Sequence, residues 1–594
     1  MAAAVTTTTV DQVSEHINAP LKVINRIYGM GTVGDGQNPS EFSSVVRDHF
    51  QAVLSKPGVR EQIPIFDLSG DAPRLKRGSL VRFRCMVQDP SYGEELHLSV
   101  AQLVNTATGE TKLISSQYTD ADHVLEEGWE VDYASASNMF TEREVAYCVS
   151  VPGQNEWARL DSPVAALEGA LGSLNISTQP ALGGSSELVP VVAEKKYPLS
   201  GCKHSAALVK FYSLTSPPKV TSVVDAVGIY ELGRSPRGEQ DDTSEQHDSW
   251  PCIHAILVSE ISVDSLVPDL PRPGASEHFE RRSMCLAHLQ SVLGGDDLAA
   301  HYLLLHLLSK TVAVQDVKVG KLSLNLIGFP LSSKSQEDGT AVSAFALRSP
   351  ATQWVSEMLA QLVPRSVEMP FELATLNSSS FLPNAEGGDL QAGVLQLAPD
   401  SEIVCDETCL HEGTLDERGL RNLQALQTVI LDQTLTYVYP YQPIDMATNL
   451  RVLVLSNGKS ILQNDCDLYL SDEAVIFFAG IHEGSAGGFK PLDPMHTEQI
   501  RQYLELARHL DFGVPQDVSD AISDEYARMR REAHEKGEKM MTQAELALIV
   551  TVARLVSIGK SEVELSMDSW REAVDLEARR GERNAQAKAA RSAK

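Results

Sequence analysis

Apolar residues recur at every second position from Leu80 onward. Val81, Phe83, Cys85 and Val87 alternate with Arg82, Arg84 and Met86; Leu96, Leu98 and Val100 repeat the alternation, and Val145, Tyr147, Val149 and Val151 do so again. A period of two predicts strands with one buried face. Leu208–Tyr212 and Val223–Tyr230 carry the same character, so several short strands predict a small barrel or sandwich. Upstream, Phe42, Val45, Val46, Phe50, Val53 and Leu54 share one helical face, which predicts a helix from Pro39 or Ser40 to about Leu54.

The period changes past Pro273. Leu286, Leu289, Val292 and Leu293, then Leu298, Tyr302, Leu305 and Leu308, form helical stripes ahead of an apolar strand at Leu322–Ile327. Predicted helices at Trp354–Val363 and Leu420–Leu431 alternate with strands as far as Arg451–Ser456, the order of a sheet covered on both faces. Near the C-terminus, Ile500, Tyr503, Leu504, Ala507 and Leu510 form one stripe. Leu546, Ile549, Val550, Ala553 and Val556 form another, with Thr542 as its N-cap.

These patterns predict a multidomain α+β chain. An N-terminal helical segment spans 1–78, and an OB-like β domain spans 79–265, interrupted by a flexible Ser/Gly/Pro/Ala-rich linker at about 161–201 and an acidic disordered loop at about 233–249. An α/β domain at 275–490, a helical region at 491–577 and a basic tail at 578–594 complete it. The tail, with Arg579, Arg580, Arg583, Lys588, Arg591 and Lys594, reads as a frayed, solvated helix end.

Charge narrows the partners. With 80 acidic and 50 basic residues the formal net charge is −30, a field that repels a phosphate backbone and suits a basic protein partner. Eight cysteines without a Cys-x-x-Cys pair predict reduced thiols in the cytosol or nucleus. The Ala/Thr-rich start lacks the basic flank and apolar core of a signal peptide, and no stretch is apolar for long enough to span a bilayer. Cys405, Cys409 and His411 lack a fourth ligand, so no metal site is expected. His301 and His306 lie five apart and read as surface or satisfied side chains. Neither a Gly-x-Ser-x-Gly elbow nor a His-Glu-x-x-His pair is present.

Three motifs in one order carry the candidate chemistry. After Leu322–Ile327 come Gly328, Pro330, Lys334 and Ser335, at the spacing of a phosphate loop. An apolar segment, Gly393–Ala398, read as a strand running on through Ile403, leads to Asp406 and Glu407, where a P-loop ATPase holds magnesium and its attacking water. A third strand ends at Asn457, the place of a polar sensor. Singly, these are an ordinary turn, a solvated strand end and an Asn–Gly turn; their common order is what makes them informative. A phosphate loop needs glycines where backbone N–H groups wrap the β-phosphate, yet Leu331 and Ser333 stand there. The expectation is an ATPase fold without ATPase chemistry: a vestigial nucleotide site, with no bound cofactor.

Leu293–Ala300, Gly328–Pro330 with Lys334–Gln336, and Gly393–Ala398 with Asp406–Glu407 resemble the AAA+ module of minichromosome maintenance (MCM) helicase subunits. Phe83–Asp89, Tyr147–Gly153 and Ala300–Leu307 are similar to the family of MCM-binding proteins, and the likeness runs with gaps from about residue 20 to about residue 577. The resemblance implies a nuclear, non-enzymatic partner of MCM subunits in DNA replication. It implies roles in assembly, stabilisation or unloading of the complex and in sister-chromatid cohesion, reaching chromatin only indirectly and membranes not at all. In place of a helicase subunit's arginine finger stands Asn464–Leu468, and in place of the lid's phosphate-sensing arginine stands Ala544, departures that remove turnover. Two alternatives remain open. ATP is retained as a regulatory ligand of Lys334, Ser335, Asp406, Glu407 and Asn457, or the β domain grips single-stranded DNA, with Tyr118, Tyr133 or Tyr147 stacking on bases.

Overall fold

The computed structural model describes residues 10–30, 39–68, 75–120, 128–159, 193–212, 218–233, 250–261, 275–314, 317–332, 349–484, 488–537 and 539–592. These form two compact units, one of residues 1–152 with 159–261, the other of 153–158 with 262–594. The architecture is mixed α/β with several sheets.

The first unit opens with helices α1 (Val10–Asn18), α2 (Pro20–Met30) and α3 (Pro39–Leu54), followed by strands β1 (Leu80–Asn105), β2 (Thr111–Ser115), β3 (Trp129–Val131), β4 (Met139–Ser150), β5 (Ala206–Phe211), β6 (Val223–Gly233) and β7 (Trp250–Glu260). The helix over 39–54 falls where its stripe predicts. Two shorter helices precede it, and Val13, Ile17, Val23 and Ile24 pack with Phe42, Phe50, Leu80, Tyr118, Ile229 and Leu257 in one core. Four buried apolar positions split across two short helices are too few for a clear 3.6 period, which is why the pattern missed them.

The alternation at 80–87 and at 96–100 belongs to one continuous strand rather than two. β1 pairs antiparallel with β4 and with β6, and its register slips at Val87/Asp89, Asp89/Gly93 and Leu98/Val100. Each slip adds one or two unpaired residues to β1 and bends the strand without ending it. β4 continues to β5, β5 runs parallel to β7, and β7 pairs with β6, so β1, β4, β5, β7 and β6 close a ring of pairings. Phe83, Cys85, Ala146, Cys148, Val209, Phe211 and Ala226 form an apolar core. The end of the expected linker is packed: Tyr197 and Leu199 are buried, and the Lys196 ammonium lies 3.1 Å from the Asp89 carboxylate, both shielded from water. A long apolar-stemmed lysine with a buried carboxylate partner orders chain that composition alone marks as flexible. The rest of that linker, 161–192, and the acidic loop at 234–249 lie outside the described residues.

The second unit contains helices α4 (Ala275–Val292) and α5 (Asp297–Leu308), strands β8 (Val312–Val314), β9 (Val317–Val319) and β10 (Leu324–Ile327), helix α6 (Pro350–Leu362), strand β11 (Ser366–Pro370), helix α7 (Leu373–Ser378), strand β12 (Glu402–Asp406), helix α8 (Glu417–Asp432), strands β13 (Thr434–Val438), β14 (Pro443–Ala447), β15 (Arg451–Ser456) and β16 (Cys466–Tyr469), and helices α9 (Asp472–His482), α10 (Pro494–Arg508), α11 (Gln516–Lys536), α12 (Gln543–Gly559) and α13 (Met567–Ser592). Its central sheet runs β11-β12-β15-β10-β16, every pair parallel. Strands this apolar need cover on both faces, and α5, buried on nearly every side, provides some of it.

Three expectations are corrected here. Gly393–Ala398 is not a strand; β12 begins only at Glu402. The segment is buried, but its amides go to turns, with Val394 N donating to Ser380 O and Gln396 N to Gly393 O. The basic run is not a frayed tail. It is the second half of α13, where Arg583 donates to both oxygens of Asp296, Arg580 to Asp467 O, and Asn584 joins Tyr469 N to Asp467 O. Strand-end carbonyls and a buried carboxylate give these basic side chains fixed partners. Finally, Gly153–Ala158, expected inside the β domain at 79–265, packs within the second unit: Ser366 N donates to Gly153 O, and Trp157 Nε1 donates to Ala360 O at 3.0 Å.

Candidate functional site

Of the three motifs, the structure places Gly328, Asp406, Glu407 and Asn457 at the ends of neighbouring strands. In a parallel sheet, ligand crevices form at the C-terminal ends of strands, and here β10, β15 and β12 are neighbours, bringing Gly328, Asn457 and Asp406–Glu407 side by side. Gly328 has φ +126° and sits where a Cβ would lie 3.0 Å from the Val475 side chain, so glycine is required at this turn. Pro330 follows in the same loop. Lys334 and Ser335 lie outside the described residues.

The groups gathered there bind one another. Gly328 N and Phe329 N both donate to Ser456 O, at 2.8 and 3.1 Å, and Ser332 N donates to Thr408 O at 3.0 Å. The Asn457 side-chain amide donates to Phe329 O at 2.7 Å, while its backbone carbonyl accepts from Arg591 at 2.8 Å. Asp406, almost fully buried, accepts from the backbone and hydroxyl of Thr408 and from the Cys409 thiol. Glu407 accepts from Ser460 Oγ at 2.7 Å. Burial pushes the Glu407 carboxyl up to about 7, although hydrogen bonds from Ser460 and from backbone at Ile461 and Leu462 oppose the rise.

The described polar groups at these strand ends are thus engaged with one another by hydrogen bonds. The Leu331 side chain, which stands where a phosphate loop needs glycine, is 54 % exposed. Sequence reasoning missed Thr408, Ser460 and Arg591. Ser460 carried a visible signal in Gly458–Lys459–Ser460, but its partner across the sheet became visible only on folding.

At the opposite end of the sheet His306 is satisfied. It bonds Leu322 O at 2.7 Å and Glu402 at 2.6 Å, and Arg451 donates to the same carboxylate at 2.8 Å. Burial pulls the Glu402 carboxyl up, but His306 and Arg451 outweigh it and hold the group down to about 2. Among the tyrosines considered for stacking, Tyr118 and Tyr147 are buried and Tyr133 is exposed. No helix among the described residues is long and apolar enough to cross a membrane.

A chain that pairs a strand ring with a parallel α/β unit is matched by one family model. The profile described as Mini-chromosome maintenance replisome factor matches residues 50–181 and 177–584, and the chain belongs to that family. Its relatives include the Mini-chromosome maintenance complex-binding proteins of Salmo salar and Gallus gallus, each 28% identical over 97% of this chain and 98% of theirs. The protein of that name from Drosophila melanogaster is 27% identical over 89% of this chain and 94% of its own length.

Proposed function

We propose that this chain is a non-enzymatic binding partner of the MCM helicase complex, acting in DNA replication in the nucleus. One observation carries the reading: Ser332 N, the Asn457 amide and both carboxylates of the acidic pair are engaged within the chain where a nucleotide and its metal would need them. The relatives' shared name supplies the partner.

The second unit is best read as a degenerate AAA+ module. A strand, β15, lies between the strand bearing the phosphate-type loop and the strand bearing the acidic pair, which supports that assignment. ATPase modules assemble side to side, so a module that cannot turn over can still offer a subunit-like face to an open partner. The closed strand ring with a single parallel pair, β5–β7, supports an OB-like barrel for the first unit. Assembly, stabilisation or unloading of the complex, and through it sister-chromatid cohesion, are the outcomes this binding serves, and contact with chromatin is through the complex.

Capture on the full chain from replicating cells tests the reading. Helicase subunits are expected with the wild type and equally with Lys334→Ala, and their absence from both overturns it. Phosphate release by the purified chain is expected at background, and release that Lys334→Ala abolishes would restore an enzymatic role. Micromolar ATP binding by calorimetry would favour the regulatory-ligand alternative.

A further inference from the structure

Two carboxylates face each other across β1 and β4 in the first unit. The register sets Glu94 opposite Glu144, Leu96 opposite Glu142 and Leu98 opposite Phe140. Opposed residues of an antiparallel pair share a face, so these six side chains form one ribbon. On β4 the same period-two row carries Ala146 and Cys148 into the apolar core, and Glu144 continues that row with a charge. Like charges directly opposite destabilise a strand pair. Burial, and then Glu94 beside it, push the Glu144 carboxyl up. Among the described residues neither carboxylate has a hydrogen bond or ion pair.

A cavity of about 190 Å³ opens at this place, lined by both glutamates with Pro90, Phe211 and Pro218 among others. Along the ribbon from it, Leu96 is 67 % exposed and Phe140 57 % exposed. Carboxylates on an apolar-walled cavity, continued by an exposed apolar strip, are complementary to a cation followed by apolar groups. Three glutamates on one face repel a nucleic-acid backbone. A lone cation would leave the strip bare.

We propose that this ribbon docks a basic segment of a protein partner, with an arginine or lysine side chain entering the cavity between Glu94 and Glu144 and apolar residues at alternate positions beyond it covering Leu96 and Phe140. An extended segment advances about 6.8 Å per two residues, the same repeat as the ribbon, so cation and apolar groups fall in step with their sites. The surface stands whether or not helicase subunits are its source of such a segment.

The test is fluorescence anisotropy at low salt with the full chain and a labelled peptide, Gly-Ser-Arg-Ser-Leu-Ser-Leu-Ser-Gly. The double variant Glu94→Gln/Glu144→Gln is expected to weaken binding about tenfold, and Leu96→Ser/Phe140→Ser about fivefold. Asp517→Asn/Asp524→Asn, which removes the same charge from exposed positions of α11, is expected to leave binding unchanged. The glutamine pair is isosteric and relieves repulsion, so its melting temperature should equal or exceed the wild type. No binding by the wild type, equal binding by Glu94→Gln/Glu144→Gln, or an equal loss in the α11 variant each overturns the proposal. So does an oligothymidylate that displaces the peptide.

Discussion

Glu407 shows how burial resets a single carboxyl. Its folded pKa near 7 lies above the ordinary value of 4.5, so the folded state holds a proton that the unfolded chain releases. Stability from this group is complete below about pH 4.5, falls as pH rises towards 7, and stays lost above it. Glu407→Gln keeps the acceptor for Ser460 and removes the titration. Urea unfolding at pH 5 and pH 8 should show the wild type losing about 2–3 kcal/mol more than the variant across that interval; identical losses would mean the carboxyl is not held up. Asp296 illustrates the opposite use of a carboxylate. It caps α5 through Ala299 N, accepts Ser471 N, and pairs with Arg583. Asp296→Ala should cost about 2–4 kcal/mol, because a cap and a buried ion pair are lost together.

Element by element, local signals read well and long-range ones do not. Thr542 caps α12 in a reciprocal box with Glu545, as the sequence indicates, and Thr542→Ala should lower stability by about 1 kcal/mol in thermal unfolding. The apolar stripe of that helix was placed slightly off. Val550 is half-exposed, whereas Val552 and Leu555 are fully buried, because three neighbouring helices, α5, α10 and α13, cover a wider arc than a single stripe. The basic second half of α13 was misjudged for a related reason. Nothing near it in sequence reveals Asp296 or Asp467, more than a hundred residues away. A chain ending after residue 577 should therefore unfold at clearly lower urea than the full chain, while a solvated tail would change nothing.

For the whole molecule, the proposed reading is of a binding partner that works without nucleotide turnover, and the formal net charge of −30 suits a basic protein surface. Capture of helicase subunits should accordingly be unchanged by adding ATP and magnesium, or by Glu407→Gln, which affinity capture with and without nucleotide would reveal. The order of the three motifs, the alternation in the β region, the C-terminal helices and the family likeness were all written in the chain, since each depends on residues close in sequence or on the succession of segments. Which groups bond one another at these strand ends was decided only by folding. Gly328, Thr408, Asn457 and Ser460 lie up to about 130 residues apart and meet because parallel strands align their C-terminal ends. The sequence shows Leu331 and Ser333 where a phosphate loop has glycines, but only the sheet shows the described polar groups at these strand ends bonded to one another, because a hydrogen bond depends on distance in space.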